Sequence, residues 1–153
     1  MPRVRHYFED GQYVHITTRT MERIPHLASD EAKTVVLSAL RAYADKRFYR
    51  LLAYVIMDNY CHFVVQVLDA KGFSQAVGRI KGWTSNQIRR LLGHRGSLWE
   101  RRSDDNVIQT DMEFAQVVDY VHFNPVRAGI VASPEDYIWS SARRWKARSF
   151  PDL

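Results

Sequence analysis

Alternating hydrophobic and polar residues near the start of the chain predict a strand over residues 12–19. Val14, Ile16 and Thr18 would share one face of it, because successive strand side chains point to opposite sides of a sheet. A helix is expected next, since Ser29 is a favourable N-cap and the apolar residues after it recur at helical spacing. The chain therefore opens with a half-buried strand and an amphipathic helix.

The middle of the chain predicts a hairpin followed by a basic helix. Residues 49–57 are apolar almost throughout, as in a central strand, and residues 60–68 form a second strand after the turn signal at residues 58–59. Residues 73–92 have helical spacing, although two glycines weaken that helix by about 1 kcal/mol each. A short strand is expected over residues 106–109.

A capping box marks the start of the last long helix. Thr110 and Glu113 have the T-x-x-E spacing of this motif, and Pro125 requires the helix to end near Asn124. One short helix is expected in residues 134–145. The predicted order β-α-β-β-α-β is that of a ferredoxin-like α+β sandwich, an antiparallel sheet with helices on one face. The other face would be open to a ligand.

Length and composition are those of a globular protein with one domain over residues 1–153. The chain is 46% hydrophobic and 25% charged, which argues against a disordered, collagen-like or coiled-coil protein. No apolar run predicts a membrane span, and the first residues lack the apolar core of a secretory signal. Cys61 is the only cysteine, which excludes an internal disulfide and a multi-cysteine zinc site. We therefore expect a cytoplasmic protein with no membrane partner.

Excess positive charge points to a polyanionic partner. The net charge is +5, and the basic residues concentrate in residues 79–102 and near the C-terminus. The candidate DNA-binding residues are Arg79, Lys81, Arg89, Arg90, Arg95, Arg101, Arg102, Arg143 and Arg144. Four tryptophans are interleaved with them, a combination that suits single-stranded nucleic acid, where bases stack on rings and phosphates meet guanidinium groups. A solvated basic face with core tryptophans is the alternative interpretation.

Two predicted elements carry side chains suited to chemistry. On the strand over residues 60–68, Tyr60 and His62 share the polar face about 7 Å apart, close enough to reach one metal ion or one phosphate. On the helix after Thr110, Tyr120 falls at the flank of the apolar stripe, so that its ring can pack while its hydroxyl stays accessible. An ordinary tyrosine of an amphipathic helix has the same spacing.

Several segments resemble the REP-associated tyrosine transposases, part of the single-tyrosine HUH transposase superfamily. VVDYVHFNPVRAGIV at residues 117–131 resembles their catalytic-tyrosine helix, and VIMDNYCHFVVQV at residues 55–67 resembles their HUH strand. Residues 12–20, 98–111 and 139–145 also resemble that family, in the same order along the chain. The resemblance implies a ferredoxin-like fold and a DNA transposase that cleaves and rejoins single-stranded DNA, often at hairpin-forming repeats.

The resemblance also implies roles for single residues. Tyr120 matches the nucleophile that forms a 5′-phosphotyrosine intermediate, and His62 matches the second histidine of the HUH motif. Asn124, one turn after the nucleophile, matches a polar metal ligand. The implied cofactor is a divalent metal, Mg²⁺ or Mn²⁺, that polarises the scissile phosphate, and the implied partner is single-stranded or hairpin DNA. Relatives include monomers and homodimers that share an active site.

The sequence departs from the family pattern at the metal ligands. Tyr60 occupies the position of the first HUH histidine, and a neutral phenol is a poor ligand for Mg²⁺ or Mn²⁺. Asn106 stands where the family commonly has a histidine. His15 projects to the same face of the sheet, where it is either a substitute ligand or an exposed strand histidine. We therefore expect any metal to be weakly bound.

Two functions from different classes follow from these residues. The first is a metal-dependent single-strand DNA transesterase, which the retained Tyr120, His62 and Asn124 favour. The second is a catalytically weakened or inactive relative that acts as a DNA-hairpin-binding module, which Tyr60 and Asn106 favour. A ferredoxin-like RNA-binding module fits less well, since the strands lack the aromatic pattern that stacks bases.

Overall fold

The computed structural model describes residues 8–147 and contains a four-stranded antiparallel sheet. The strands run over Tyr13–Arg19 (β1), Tyr49–Ile56 (β2), Tyr60–Val67 (β3) and Asp104–Ile108 (β4). Their order across the sheet is β2-β3-β1-β4, and every neighbouring pair is antiparallel. This is the strand order of a ferredoxin-like fold, so the predicted α+β class is confirmed.

Helices connect the strands at the predicted places. The α-helices of the described residues cover Asp30–Asp45 (α1), Ala70–Leu92 (α2), Asp111–His122 (α3), Asn124–Arg127 (α4) and Ala142–Ala147 (α5). Both predicted caps form: Ser29 and Thr110 each accept a backbone N–H three residues ahead, at 3.1 Å. Within residues 8–147, no helix combines the length and the apolarity needed to cross a membrane.

The larger core lies between one face of the sheet and the helices α1 and α2. Val14, Ile16 and Phe63 belong to it, together with buried residues of both helices. Cys61 is also buried on this face, as the alternation of β3 predicts. Burial raises the pKa of its thiol to about 11, so Cys61 is a protonated packing residue.

The second face of the sheet is more covered than the sequence analysis expected. α3 packs across β2 and β3, where Val118 and Val121 form a smaller core with Val55 and Val64. β2 is apolar on both of its faces, and such a strand requires cover on both sides. Helices therefore lie on both faces of the sheet, and α3 brings its own side chains onto the second face.

Candidate functional site

Tyr120 and His62 meet on the second face of the sheet. Their ring centroids are 5.5 Å apart, and the rings contact edge to face at 75°. Tyr120 lies in the last turn of α3 and is 50% exposed, whereas His62, the third residue of β3, is 6% exposed. The structure thus brings together the two residues that the resemblance pairs, although His62 is more buried than an open sheet face would make it.

The two rings line a pocket of about 400 Å³ at one end of the sheet. Its lining residues are Thr17, Arg19, Arg23, Tyr60, His62, Tyr120, Asn124, Arg127 and Ala128. Three of these described residues are arginines, and none carries a carboxylate. Positive charge in a concave site attracts anions, so the pocket suits a phosphate group.

His62 is a neutral imidazole held by its neighbours. Its Nδ1 lies 2.9 Å from Oγ1 of Thr17 and 3.0 Å from Nε2 of His15. Burial, above all, lowers the pKa of His62 to about 3, and the nearby His15, Arg19 and Arg127 lower it further. A neutral imidazole has a single acceptor nitrogen, so His62 offers at most one lone pair to a ligand.

His15 supports His62 and does not line the pocket. The two rings have centroids 5.0 Å apart, and burial lowers the pKa of His15 as well. His15 is therefore half-buried and hydrogen-bonded, not an exposed strand histidine. Asn106 pairs with His15 across β1 and β4, yet it is exposed and lies outside the pocket lining.

Tyr60 and Asn124 are hydrogen-bonded to each other. The phenol of Tyr60 donates to Oδ1 of Asn124, whose side chain is buried at the start of α4. Burial is the main cause that raises the pKa of Tyr60, and Tyr120 raises it further against the opposing effect of Arg127 and Arg23. The phenol therefore stays protonated and keeps its role as the donor.

The oxygen and nitrogen atoms that this site could offer as metal ligands do not suit a divalent cation. The phenol of Tyr60 is neutral, the amide oxygen of Asn124 already accepts its hydrogen bond, and His62 is the single imidazole that lines the pocket among the described residues. Mg²⁺ and Mn²⁺ prefer carboxylate oxygens, which this lining lacks. Across residues 8–147, no three His, Cys, Asp or Glu side chains are grouped so that they could hold a metal ion.

Arg127 is a pocket residue that the sequence analysis missed. Its guanidinium carbon lies 4.3 Å from the centre of the Tyr120 ring, and its Nη2 donates to the Tyr120 carbonyl oxygen at 2.5 Å. Arg127 forms no ion pair within the described part of the chain. The signal for it was its position seven residues after Tyr120, two helical turns along the same side.

Arg19 and Arg23 share the pocket with Arg127 but have acidic partners. Nη1 of Arg19 lies 2.6 Å from Oδ2 of Asp104, and Nε of Arg23 lies 3.7 Å from Oε1 of Glu100. The Arg23 side chain is 56% exposed, so its pairing is weak. Both carboxylates lie outside the pocket lining, whereas both arginines belong to it.

The predicted DNA-binding residues lie outside this pocket. Seven of them are exposed: Arg79, Arg90, Arg95, Arg101, Arg102, Arg143 and Arg144. Lys81 is half-buried, and its ammonium donates to the carbonyl oxygen of Glu100 at 2.8 Å and to Oγ of Ser103 at 3.2 Å. Arg89 similarly donates to the Gly96 carbonyl. Both residues brace the segment that follows α2, which argues against a main role in DNA contact.

The tryptophans divide into three structural residues and one exposed residue. Trp99, Trp139 and Trp145 each donate their indole N–H to a partner in the protein. Trp83 is 45% exposed on α2. At 100° per residue it falls within about 40° of Arg79 and Arg90, so these three exposed side chains share one helix face. The core interpretation is therefore right for the buried Trp99, while Trp139 and Trp145 are half-buried and pack against the two cores. Trp83 is available for stacking.

Fold and site together define a ferredoxin-like α+β protein whose helix tyrosine and strand histidine share an arginine-lined anion pocket. The family model "Transposase IS200 like" matches residues 9–124. The chain therefore belongs to the IS200-like transposase family.

Individual relatives agree with this assignment. A Haemophilus influenzae protein assigned to the REP-associated tyrosine transposases is 23% identical over 126 residues, which are 75% of this chain and 72% of that protein. A solved REP-associated tyrosine transposase bound to a REP hairpin matches with a TM-score of 0.80 at 22% identity, over 100% of this chain and 91% of the other. A Deinococcus radiodurans protein assigned as a transposase matches with a TM-score of 0.55 at 21% identity, over 79% and 95%. The predicted resemblance to the REP-associated tyrosine transposases is confirmed.

Proposed function

We propose that the protein binds single-stranded or hairpin DNA and cleaves and rejoins it through a covalent bond to Tyr120. The observation that carries this proposal is the exposed ring of Tyr120 beside His62 in an anion pocket with three arginines. Membership of a transposase family and the hairpin bound by the solved relative support DNA as the substrate. A DNA substrate also accords with the cytoplasmic location that the sequence favours.

The proposed reaction exchanges one phosphate ester for another. The hydroxyl oxygen of Tyr120 attacks phosphorus and its proton passes to water, while the bond between phosphorus and the 3′-oxygen breaks. The departing 3′-oxygen takes a proton from water, which leaves a 5′-phosphotyrosine and a free 3′-hydroxyl. A 3′-hydroxyl of a second strand later reverses the step and restores the phenol. Positive charge in the pocket stabilises the negative charge that builds up on the phosphate oxygens.

A hairpin-binding module without cleavage is the second candidate function. The hydrogen bond between Tyr60 and Asn124 favours it, because it occupies two positions that the resemblance assigns to metal ligands. Under this function the exposed basic residues and Trp83 still bind DNA, while Tyr120 has no chemical role.

Covalent capture of DNA separates the two functions. Labelled single-stranded hairpin DNA is incubated with the protein in Mg²⁺ or Mn²⁺, and adducts are detected on a denaturing gel. We expect an adduct that is lost in Tyr120→Phe and persists in Tyr13→Phe, a matched change at a partly exposed tyrosine of β1. DNA binding without an adduct under any condition would establish the binding module. An adduct that still forms in Tyr120→Phe would show that Tyr120 is not the nucleophile.

A further inference from the structure

We propose that the pocket binds the scissile phosphate with guanidinium groups in place of a divalent cation, and that Arg127 is the arginine that contacts the reacting phosphate. This inference deepens the proposed function and rests on it, since it concerns the same pocket and the same DNA substrate. It starts from the mismatch between the donors of the site and the requirements of a metal ion.

The lining of the pocket is unsuited to a dication. A divalent metal needs several oxygen or nitrogen lone pairs, and one of the two lone pairs on the amide oxygen of Asn124 is already engaged by Tyr60. The described lining residues include no carboxylate to offset the charge of the ion. Three guanidinium groups line this 400 Å³ pocket, and Arg127, which has no carboxylate partner among residues 8–147, would repel the ion.

Arginine side chains supply positive charge in a form that suits a phosphate. A guanidinium group stays charged at any working pH and donates two parallel hydrogen bonds to two phosphate oxygens. Such a fork both fixes the phosphate and stabilises the charge that accumulates during attack. A metal ion is then not needed to bring positive charge to the phosphoryl group.

Arg127 lies next to the ring of Tyr120. The guanidinium carbon lies 4.3 Å from the ring centre, and the hydroxyl oxygen is attached directly to that ring. A phosphate attacked by this oxygen is therefore within reach of the same guanidinium. Unlike Arg19 and Arg23, Arg127 has no carboxylate partner among residues 8–147, so a phosphate does not have to displace one.

The test measures how fast the covalent adduct forms in EDTA and in Mg²⁺. We expect rates that agree within about twofold, because no cation takes part. Arg127→Gln should slow adduct formation by about 100-fold, the scale of losing one charge-stabilising donor. Arg127→Lys keeps the charge without the fork and should recover part of the rate. Arg47→Gln, at an exposed arginine in the turn before β2, is the matched control and should leave the rate unchanged.

The outcomes distinguish a failure of the arginine site from a failure of the proposed DNA cleavage. An adduct that forms in Mg²⁺ or Mn²⁺ and not in EDTA would overturn the arginine site while supporting cleavage by Tyr120. If no adduct forms under any condition, cleavage fails, and the affinity for a single-stranded oligonucleotide in EDTA becomes the test. We then expect Arg127→Gln to weaken binding at least fivefold relative to Arg47→Gln. Equal affinities of these two variants would overturn the inference, and equal thermal unfolding midpoints confirm that both are folded.

Discussion

The phenol of Tyr60 and the amide oxygen of Asn124 form a hydrogen bond between residues 64 positions apart in the sequence. It connects the first residue of β3 to the first residue of α4, next to the candidate nucleophile on α3. An amide oxygen that accepts a hydrogen bond from a phenol has less to offer a cation. Tyr60 therefore weakens a metal site in two ways, as a poor ligand itself and as a competitor for Asn124.

Replacing Tyr60 with histidine should restore a metal site. Tyr60→His adds a second imidazole near His62 and removes the phenol donor from Asn124. We expect the affinity for Mn²⁺ to rise at least tenfold, since even a residue that only orients a metal ligand typically changes metal affinity by about 10–100-fold, and a direct ligand should contribute at least as much. Electron paramagnetic resonance of free Mn²⁺ during a titration measures this directly, without dependence on DNA cleavage.

Tyr60→Phe is the matched control for that substitution. It also removes the hydrogen bond but brings no imidazole, so we expect no gain in Mn²⁺ affinity. Because it leaves the buried oxygen of Asn124 without its donor, the free energy of unfolding should fall by about 1–3 kcal/mol. A gain in Mn²⁺ binding that is equal in both variants would show that release of Asn124 matters and the added imidazole does not. No gain in Tyr60→His would refute the ligand explanation.

Trp83 should contribute to the binding of single-stranded DNA. Its exposed ring lies on the same face of α2 as Arg79 and Arg90, where a base can stack while phosphates meet the guanidinium groups. Trp83→Ala should weaken binding by about 1–3 kcal/mol, as judged by fluorescence anisotropy in a fixed salt concentration. Leu92→Ala removes a similarly exposed apolar side chain from the same helix, and it should have little effect. Similar losses in both variants would argue against stacking.

The salt dependence of binding should report how many arginines reach phosphates. The logarithm of the association constant falls with the logarithm of the salt concentration by about 0.7 per neutralised phosphate of a single strand. Arg90→Gln should therefore lower this slope by about 0.7, because Arg90 is exposed beside Trp83. Arg47→Gln removes the same charge from the turn before β2 and should leave the slope unchanged. If the two variants have equal slopes, α2 is not the DNA-binding surface.

Local patterns in the sequence were sufficient to predict most of the fold. The alternation in β1 and β3 sorts Val14, Phe63 and Cys61 to one face and His62 to the other, since the period of a strand is two. Side-chain caps at Ser29 and Thr110 locate the starts of α1 and α3. Each of these signals depends only on neighbouring residues, so tertiary packing hardly changes the strand face or helix start that it predicts.

Tertiary packing decides the features that the sequence analysis missed. The coverage of both sheet faces depends on where α3 docks, although the unbroken apolar run of β2 was a signal for it. The hydrogen bond between Tyr60 and Asn124, and the stacking of Arg127 on Tyr120, depend on the angle between α3 and the sheet. No local pattern encodes that angle. The sequence therefore shows that position 60 departs from the family pattern, but it does not predict the hydrogen bond from Tyr60 to Asn124.

A buried histidine on α3, His122, makes the stability of the protein dependent on pH. Nε2 of His122 lies 2.7 Å from Oγ of Ser141, which also accepts the backbone N–H of Tyr54 on β2. Burial lowers the pKa of His122 to about 4, against about 6.5 in the unfolded chain. Between these two values the unfolded chain binds a proton that the folded protein does not. The free energy of unfolding should therefore fall by about 1.4 kcal/mol per pH unit as the pH drops from about 6.5 to about 4.

His62 adds to the same decline, because burial lowers its pKa to about 3, and the two contributions can be separated by substitution. In His122→Gln an amide replaces the imidazole beside Ser141, so a polar partner remains while the titrating group is lost. Between pH 7 and pH 5, urea unfolding should then show a loss of stability that is smaller than in the unsubstituted protein by about 2 kcal/mol in total, because His122 contributes about 1.4 kcal/mol per unit only below about pH 6.5. The remaining dependence belongs to His62 and the other titrating groups. An unchanged pH dependence in His122→Gln would mean that His122 is protonated in the folded protein at pH 5, contrary to its burial against Ser141 and β2.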